Sequence, residues 1–365
     1  MPRRRLPTPR TILVVGIAAI AVAVSLDLTI QSVLVPIWGV DAVVPYRAAA
    51  RWLAGGEPYL ASAFVAGSGY DVPFLYPPPF LVAYAPLTLL PVEIVIVVAN
   101  VVALLASWGA LRRLGISRVL IPLVLLWPPF SGAIAGGNLQ AAMFAAFAWL
   151  YWDRSAGSSR GPVARDPAAS GRPAVIDGLL AAIIPSIKIS QGHAFVGLLR
   201  LRPRAAILGA LAVVAAVGLL LPIVGPSVWV AWFEQSVRAA DPTWPLRGSS
   251  LTRDLPAIAT TAIAGLSMLA AIAVPRARAG AWIGLLTVIG APTLRLYGVI
   301  FAVPAMLELR REISLTAAVL VATYTFEGLW LGIGLVTVAY AASPHLPALL
   351  ERPPVRSEHP ERQVV

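Results

Sequence analysis

The chain has 365 residues, of which 58% are hydrophobic and only 12% are charged, and its formal net charge at pH 7 is +11. This composition is too apolar for a water-soluble domain and is typical of a polytopic membrane protein. Cysteine is absent from the sequence, which excludes disulfides, thiolate nucleophiles and cysteine-ligated metals. The arginines stand in short clusters between apolar segments, so anionic lipid rather than nucleic acid is the expected partner of the positive charge.

The N-terminal part of the chain consists of a basic arm, residues 1–10, and an apolar segment from Thr11 to Leu26. A cleaved signal peptide would share these features, since Ala21-Val22-Ala23 resembles a small-residue cleavage site. We prefer an uncleaved membrane anchor, because apolar residues continue to Trp38 and further apolar segments follow. The anchor is then expected to leave the cytoplasm and to deliver the next loop to the outside.

The loop after the anchor begins with an acidic residue, Asp41. Pro45 is predicted to lie in the first turn of a short helix that Gly55 and Gly56 end. Arg47 and Arg51 are four residues apart and share one face of this helix, whereas Tyr46 belongs to an apolar face. One carboxylate and two guanidinium groups would thereby gather at a membrane surface, where anionic head groups and phosphates are the expected ligands.

The next apolar segment contains three consecutive prolines, Pro77-Pro78-Pro79. These prolines cannot make ordinary helical hydrogen bonds, so residues 76–90 are predicted to form a short or re-entrant segment on the outer side. If every apolar run crossed fully, the arginine cluster at residues 112–118 would face outside, against the positive-inside rule. The re-entrant interpretation avoids that conflict and returns residues 136–140 to the outer face, near Asp41.

The apolar stretch from Val175 to Leu199 is interrupted by the polar sequence PSIKISQGH. Two half-helices that meet near the outer surface would place Lys188 at the break between them. A buried lysine is costly without an anion, so a phosphate partner is favoured over an ammonium group that reaches back to the interface. For His193, a neutral side chain hydrogen-bonded in a polar pocket is favoured over a catalytic base or a metal ligand.

A second outer loop is predicted at residues 225–253. Ser227 is predicted to cap a helix whose Trp229, Trp232 and Phe233 share one face, so that this helix lies flat in the interface. Arg247 and Arg253 follow it as candidate phosphate or sugar contacts, although solvated loop charges would look the same. Further along, Arg295 and Tyr297 mark another outer turn between apolar runs.

No soluble-enzyme signature is present: the sequence lacks a phosphate-binding GxxxxGK[ST] loop, a dinucleotide GxGxxG fingerprint and an HExxH motif. Only three histidines occur, which argues against a dedicated zinc site. The informative pattern is positional, because a set of polar residues maps to one side of the bilayer. This set contains Asp41, Arg47, Arg51, Asn138, Gln140, Lys188, Arg253 and Arg295.

Four segments occur in an order that resembles the GT-C glycosyltransferases of family 87, which are polyprenyl-phosphate-mannose-dependent mannosyltransferases. They are DAVVPYRAAARWLAGGEPY, LYPPPFLVAYAPLTLLP, PPFSGAIAGGNLQAAMFAAFAWLYWDR and IPSIKISQ. The resemblance covers roughly residues 39–310. It implies an all-α polytopic fold, a GT-C-like bundle of about 10–12 transmembrane helices with short amphipathic helices in the outer loops. A single integral domain is expected over residues 1–343, with outer loops at about 38–75 and 225–253 and a disordered tail over 344–365.

The resemblance also implies an inverting hexosyltransferase similar to α-1,2-mannosyltransferases, acting on the outer face of the cell inner (cytoplasmic) membrane. Its expected partners are membrane lipid, a polyprenyl-phosphate sugar donor and a glycolipid or glycan acceptor, with no metal or other cofactor and no nucleic acid. Asp41 matches the family's acidic residue and would be the general base, while Arg51 and Lys188 match basic positions of the family. The predicted donor-phosphate and substrate-binding residues are Tyr46, Arg47, Arg51, Tyr76, Asn138, Gln140, Lys188, His193, Arg247, Arg253, Arg295 and Tyr297.

The sequence departs from the family pattern at several points. One extra residue separates Asp41 from Tyr46, GNLQ stands where a GQxN-like motif is usual, and Arg-Gly-Ser-Ser stands near residue 248 where Asn-Gln-Ser is expected. These departures leave the donor sugar and the acceptor open. Two other functional classes remain as alternatives. One is a lipid-sugar transporter or flippase, for which repeated halves with paired broken helices are expected, and the other is a non-catalytic membrane scaffold.

Overall fold

The computed structural model describes residues 38–59, 74–153, 163–164, 172–239, 250–323 and 325–346, together with five single positions between 15 and 26. The predicted anchor is covered only by those single positions. Arg247 and the predicted tail beyond residue 346 lie outside the described residues.

The described part of the chain is a bundle of α-helices, which confirms the predicted all-α class. The first helices are α1 (Val40–Leu53), α2 (Pro79–Tyr84), α3 (Val92–Arg113), α4 (Ile121–Leu125), α5 (Pro128–Ala135), α6 (Gln140–Tyr151), α7 (Ala174–Ile187) and α8 (His193–Leu201). The remaining ones are α9 (Pro203–Val224), α10 (Pro226–Ala239), α11 (Ala257–Ala273), α12 (Ala279–Ile289), α13 (Val303–Glu308), α14 (Arg311–Ala322) and α15 (Phe326–Ala342). Short 3₁₀ segments occur at Ala85–Leu89, Ile189–Gln191, Arg276–Arg278 and Leu296–Ala302, and two-residue strands β1 (Trp152–Asp153) and β2 (Val163–Ala164) pair antiparallel.

Several helices are apolar enough for a membrane. Among the described residues, α3 and α9 are each long enough to cross one, and α11 does so as a pair with the segment Arg276–Ile289, at a bend of 118°. The other apolar helices, such as α6, α7 and α15, have 10–17 residues, fewer than the roughly 20 that one straight crossing needs. The chain is therefore a membrane protein by its apolar helices, and the number of 10–12 crossings stays a prediction.

Helix α6 lies at the centre of the bundle. Its sequence is apolar all round, and most of its residues are buried, as expected for a helix surrounded by other helices. Phe144 and Phe147 pack their rings against Phe301, with ring centroids 5.7 and 5.2 Å apart. This aromatic core fixes the position of α6, and with it the polar residue Gln140 at the start of the helix.

Helices α7 and α9 approach each other closely at two glycines. A Cβ atom at Gly178 would lie 2.4 Å from the carbonyl oxygen of Ala205, and one at Gly209 would lie 2.5 Å from the carbonyl oxygen of Gly178. Small residues permit such backbone contact between helices in membranes, where van der Waals packing drives association. The contact fixes α7, whose last residue directly precedes Lys188.

Helix α1 begins at Val40, five residues earlier than Pro45 predicts, so Asp41 lies inside its first turn. The prediction was wrong because Pro45 removes only its own N–H donor, and tertiary backbone contacts stabilise the earlier turn. Gly39 donates its N–H to the carbonyl oxygen of Ala135 at 2.9 Å, and Asp41 donates to that of Gly136 at 3.0 Å. These bonds attach the start of α1 to the end of α5.

The end of α1 follows the predicted glycines. Gly55 has a φ of +78°, a left-handed conformation that favours glycine. Its N–H bonds the carbonyl oxygen of Trp52, and the N–H of Gly56 bonds that of Arg51, both at 2.9 Å. This pair of bonds is a Schellman motif, which satisfies carbonyl groups at the end of a helix.

Helix α10 begins at Pro226, so Ser227 lies in its first turn and is not its cap as the sequence suggests. Proline is well suited to the first helical position, since its missing N–H would have no partner there. The indole Nε1 of Trp232 donates to the carbonyl oxygen of Leu75 at 3.2 Å. This bond holds α10 against the start of the proline-rich segment.

Candidate functional site

A cavity of about 430 Å³ opens between α1, α6, the break that follows α7, α10 and residues 292–297. This volume is within the range of small-molecule binding sites. Many of the predicted site residues line it, namely Asp41, Tyr76, Asn138, Gln140, Lys188, Arg295 and Tyr297. The remainder of the wall is largely apolar and includes Val44, Met143, Ile187 and Trp232.

Asp41 contributes the carboxylate of the cavity. Burial raises the pKa of its carboxyl group, and this effect outweighs a hydrogen bond from Asn138 and the charges of Arg295 and Lys188, which lower the pKa. The carboxylate lies against Gly136, where a Cβ atom would be 2.7 Å from Oδ2 of Asp41. Glycine at position 136 therefore provides the space that the carboxylate occupies.

Gly137 and Asn138 shape the turn beside Asp41. Gly137 has a φ of +64°, and a Cβ atom there would lie 3.3 Å from the Cβ of Ala42 in α1. The next residue, Asn138, accepts the backbone N–H of Gln140 on its Oδ1 at 2.7 Å, an Asx turn. The turn thus brings the Asn138 side chain to Asp41 and starts helix α6 two residues later.

Gln140 connects this turn to the break after α7. Its Nε2 donates to Oε1 of Gln191 at 2.7 Å, and both side chains are buried. The N–H of Gln191 in turn donates to the carbonyl oxygen of Lys188 at 2.9 Å. A continuous set of hydrogen bonds therefore joins the side of the cavity that carries Asp41 to the side that carries Lys188.

Lys188 is the single lysine of the whole chain. It occupies the predicted break between α7 and the 3₁₀ segment that precedes α8, with extended backbone angles of φ −145° and ψ 101°. Its Nζ donates to the carbonyl oxygen of Thr293 at 3.0 Å. An ammonium group has three donors, and Nζ makes no second hydrogen bond to the residues that the structure describes, so two N–H groups of Lys188 can bind a ligand.

Arg295 adds a second cation, and its side chain is exposed at the cavity. The cavity therefore combines one carboxylate with an ammonium and a guanidinium group, inside largely apolar walls. A carboxylate with a raised pKa can accept a proton from a hydroxyl group. Cations in a site of low dielectric can bind a phosphate and stabilise charge that develops on it.

Other predicted site residues lie away from the cavity lining. Tyr46 donates its hydroxyl to the carbonyl oxygen of Leu90 at 3.0 Å. The ring nitrogen Nε2 of His193 lies 2.8 Å from the Ser267 hydroxyl in the interior, next to α11. The structure therefore places neither Tyr46 nor His193 in the cavity wall.

The remaining predicted cations also lie elsewhere. Arg253 forms an ion pair with Asp254 at 3.0 Å and stacks over the ring of Phe326 at 3.8 Å. Arg47 and Arg51 belong to α1 but do not line the cavity. Their roles as ligands stay predictions.

The cavity also contains residues that sequence patterns did not single out. Ser190 and Thr293 line it, as does Ser236 of α10. Gln191 lies directly behind the lining, where it holds Gln140. A signal for Gln191 was present, because it follows Lys188 in the same polar interruption, and Ser236 lies one helical turn after Trp232.

A comparison with protein families finds one match: the family model described as glycosyltransferase family 87 matches residues 74–255, about half of the chain. No curated protein and no solved structure matches the chain. The matched segment contains Asn138, Gln140 and Lys188. Asp41 and Arg295 lie outside this segment in sequence, yet they line the same cavity as its residues.

Proposed function

The chain belongs to glycosyltransferase family 87, and from that premise we propose that it transfers a hexose, with mannose as the first candidate, from a polyprenyl-phosphate donor. The acceptor is a hydroxyl group of a lipid or glycan, and the reaction takes place on the extracytoplasmic face of the inner membrane. The observation that carries this proposal is the meeting of Asp41, Lys188 and Arg295 in one cavity. A base and two phosphate-binding cations are the groups that such a transfer needs.

The proposed reaction is a single displacement at the sugar carbon C1. The acceptor oxygen forms a bond to C1 while the bond from C1 to the phosphate oxygen breaks, which inverts the configuration. The acceptor hydroxyl is a weak nucleophile at neutral pH, so Asp41 removes its proton as the new bond forms. General-base catalysis of this kind contributes about 10²–10⁴-fold to a rate.

The leaving group is a polyprenyl phosphate, whose oxygen gains negative charge as its bond to C1 of the sugar breaks. Lys188 and Arg295 are proposed to bind this phosphate and to stabilise that charge. The hydrogen bond from Nζ of Lys188 to Thr293 holds the ammonium group in place before the donor arrives. Such preorganisation lowers the cost of ordering the site during the reaction.

The test is sugar transfer by the purified protein in proteoliposomes that contain radiolabelled polyprenyl-phosphate-mannose and membrane lipid acceptors. Asp41→Asn keeps the shape of the side chain but removes its basicity, so transfer is expected to fall by at least about 100-fold. Asp254→Asn is the matched control, because Asp254 lies outside the cavity with 79% of its side chain exposed, and it should retain full activity. Full activity in folded Asp41→Asn protein would remove Asp41 from the mechanism.

A further inference from the structure

Asn138 is 94% inaccessible to solvent, since its relative exposure is 6%, and both ends of its side-chain amide are engaged. Its Oδ1 accepts the N–H of Gln140 at 2.7 Å. Its side chain lines the same cavity as Asp41, and a hydrogen bond from it lowers the pKa of the Asp41 carboxyl group. We propose that Asn138 is a positioning residue that orients the Asp41 carboxylate towards the acceptor, and is not a ligand of the donor. This inference rests on the proposed function of Asp41 as the general base.

The two hydrogen bonds fix which way the amide of Asn138 points. A backbone N–H can only donate, so the atom that faces Gln140 must be the carbonyl oxygen. The NH₂ group is then directed to Asp41, whose ionised carboxylate can only accept. Neither partner allows the opposite orientation, so the Asx turn itself presents a donor to the base.

This arrangement affects Asp41 in two ways. A donor to the carboxylate favours its ionised form, which is the form that accepts a proton. The second effect is geometric, because Gly136 closes one side of the carboxylate at Oδ2 while Asn138 binds it from the turn. These two contacts restrict rotation of the carboxylate, which faces the cavity that Asp41 lines.

Other groups act on Asp41 electrostatically, and the test must separate them from Asn138. The cations Arg295 and Lys188 favour ionisation of Asp41. Tyr76 and Tyr84 also interact with its charge. All four remain in place when only residue 138 is changed, so a difference in the pH profile reports the contribution of Asn138.

The experiment measures the rate of sugar transfer against pH for the full-length protein in proteoliposomes, with Asn138→Asp and Asn138→Ala. Asn138→Asp retains an acceptor for the N–H of Gln140 but replaces the NH₂ donor by a second carboxylate. Two neighbouring carboxylates raise the pKa of one of them, so the rising limb of the profile is expected to move to higher pH. At a pH below the limb, the rate should fall about tenfold for each unit of that movement, with the KM for the donor within about twofold of the wild type.

Asn138→Ala is expected to move the limb in the same direction, by less, because it removes the donor without adding a charge. The matched control is Asn100→Ala, since Asn100 is the other asparagine of the chain and is also buried. Neither of its side-chain amide atoms has a hydrogen-bond partner among the described residues. Its profile should coincide with that of the wild type. Thermal melting in detergent identifies variants that have failed to fold. If Asn138→Ala does not fold, the pH profile of Asn138→Asp tests the inference.

The outcomes distinguish this inference from the proposed function. An unmoved limb together with a raised donor KM in the Asn138 variants would show that Asn138 binds the donor, and would overturn the inference while Asp41→Asn remained inactive. An unmoved limb with an unchanged KM would overturn it as well. Full activity of Asp41→Asn would instead overturn the proposed function.

Discussion

Replacement of Lys188 by methionine is predicted to reduce the stabilisation of the transition state for sugar transfer. Methionine has a similar length but no charge, so the change removes the ammonium group from the cavity without filling or emptying it. In the native protein, Nζ uses one donor on the carbonyl oxygen of Thr293, which leaves two donors for the phosphate of the donor lipid. The substitution therefore deletes at least one charge-assisted hydrogen bond to the leaving group.

A hydrogen bond to a charged group contributes about 1.5–3 kcal/mol. The loss of one such bond lowers kcat/KM by about tenfold to about 150-fold. Lys188→Arg keeps the positive charge but changes its shape from a compact ammonium to a planar fork. This variant is expected to recover part of the activity, which shows that charge at this position matters.

The assay is the initial rate of sugar transfer as a function of donor concentration in proteoliposomes. Arg204→Gln is a matched control, since it removes one positive charge from an exposed residue outside the cavity, and its kcat/KM should equal that of the wild type. Because Lys188 is the single lysine, an amine-reactive probe labels one side chain, and polyprenyl phosphate should protect it. Unchanged kcat/KM in folded Lys188→Met protein, with no protection by polyprenyl phosphate, would refute the assignment.

Asp41, Gly136 and Gly178 provide three further tests. Asp41 acts as a base only when it is ionised, and burial raises its pKa. The rate of sugar transfer should therefore fall as the pH is lowered through that pKa, and this fall should occur at a higher pH than for a solvated aspartate, whose pKa is near 3.9. A rate that stays constant through acidic pH would contradict the role of Asp41 as the base. Gly136→Ala places a Cβ atom 2.7 Å from Oδ2 of Asp41, and activity should fall by up to about 100-fold. Gly132→Ala should remain active, because a Cβ atom there has no described neighbour within 4 Å. Gly178→Ala forces a Cβ atom into the backbone of α9 and should cost about 1–3 kcal/mol of stability. Its melting temperature should be lower than that of Gly218→Ala, whose Cβ atom meets no described residue within 4 Å.

The helix break at Lys188 was predictable because it depends on local chemistry. A polar run containing a lysine inside an apolar segment cannot continue as an ordinary buried helix without a partner, and the structure has its break at that residue. The short helix and the 3₁₀ segment that the structure shows within residues 76–90 follow in the same way from three consecutive prolines, whereas the re-entrant placement of this segment stays a prediction. Such features are encoded within about ten neighbouring residues.

The arginines of α1 show where local patterns are insufficient. Arg47 and Arg51 were grouped with Asp41 because all three belong to one loop. Once the helix begins at Val40, Arg51 lies ten residues after Asp41, about 15 Å further along the helix axis. Arg47 lies six residues after Asp41, about 120° away around the axis. The start of the helix depends on backbone bonds to residues 135 and 136, which no local pattern contains.

The composition of the cavity wall was only partly predictable for a related reason. Tryptophan and phenylalanine at helical spacing predict that α10 is an interfacial helix, but which of its residues face the cavity depends on how α10 lies over α1 and α2. The bond from Trp232 to Leu75 fixes that placement. Contacts between residues more than a hundred positions apart, such as Lys188 with Thr293, are set by the tertiary fold alone.

The most direct test of the account is the fate of the donor lipid in sealed proteoliposomes that contain the purified protein, polyprenyl-phosphate-mannose and acceptor lipids. If the protein is a glycosyltransferase of this kind, the donor should be consumed, and one free polyprenyl phosphate should appear for each mannosylated acceptor. Movement of intact donor from one leaflet to the other, with no free polyprenyl phosphate formed, would contradict it and identify the cavity as a transport site.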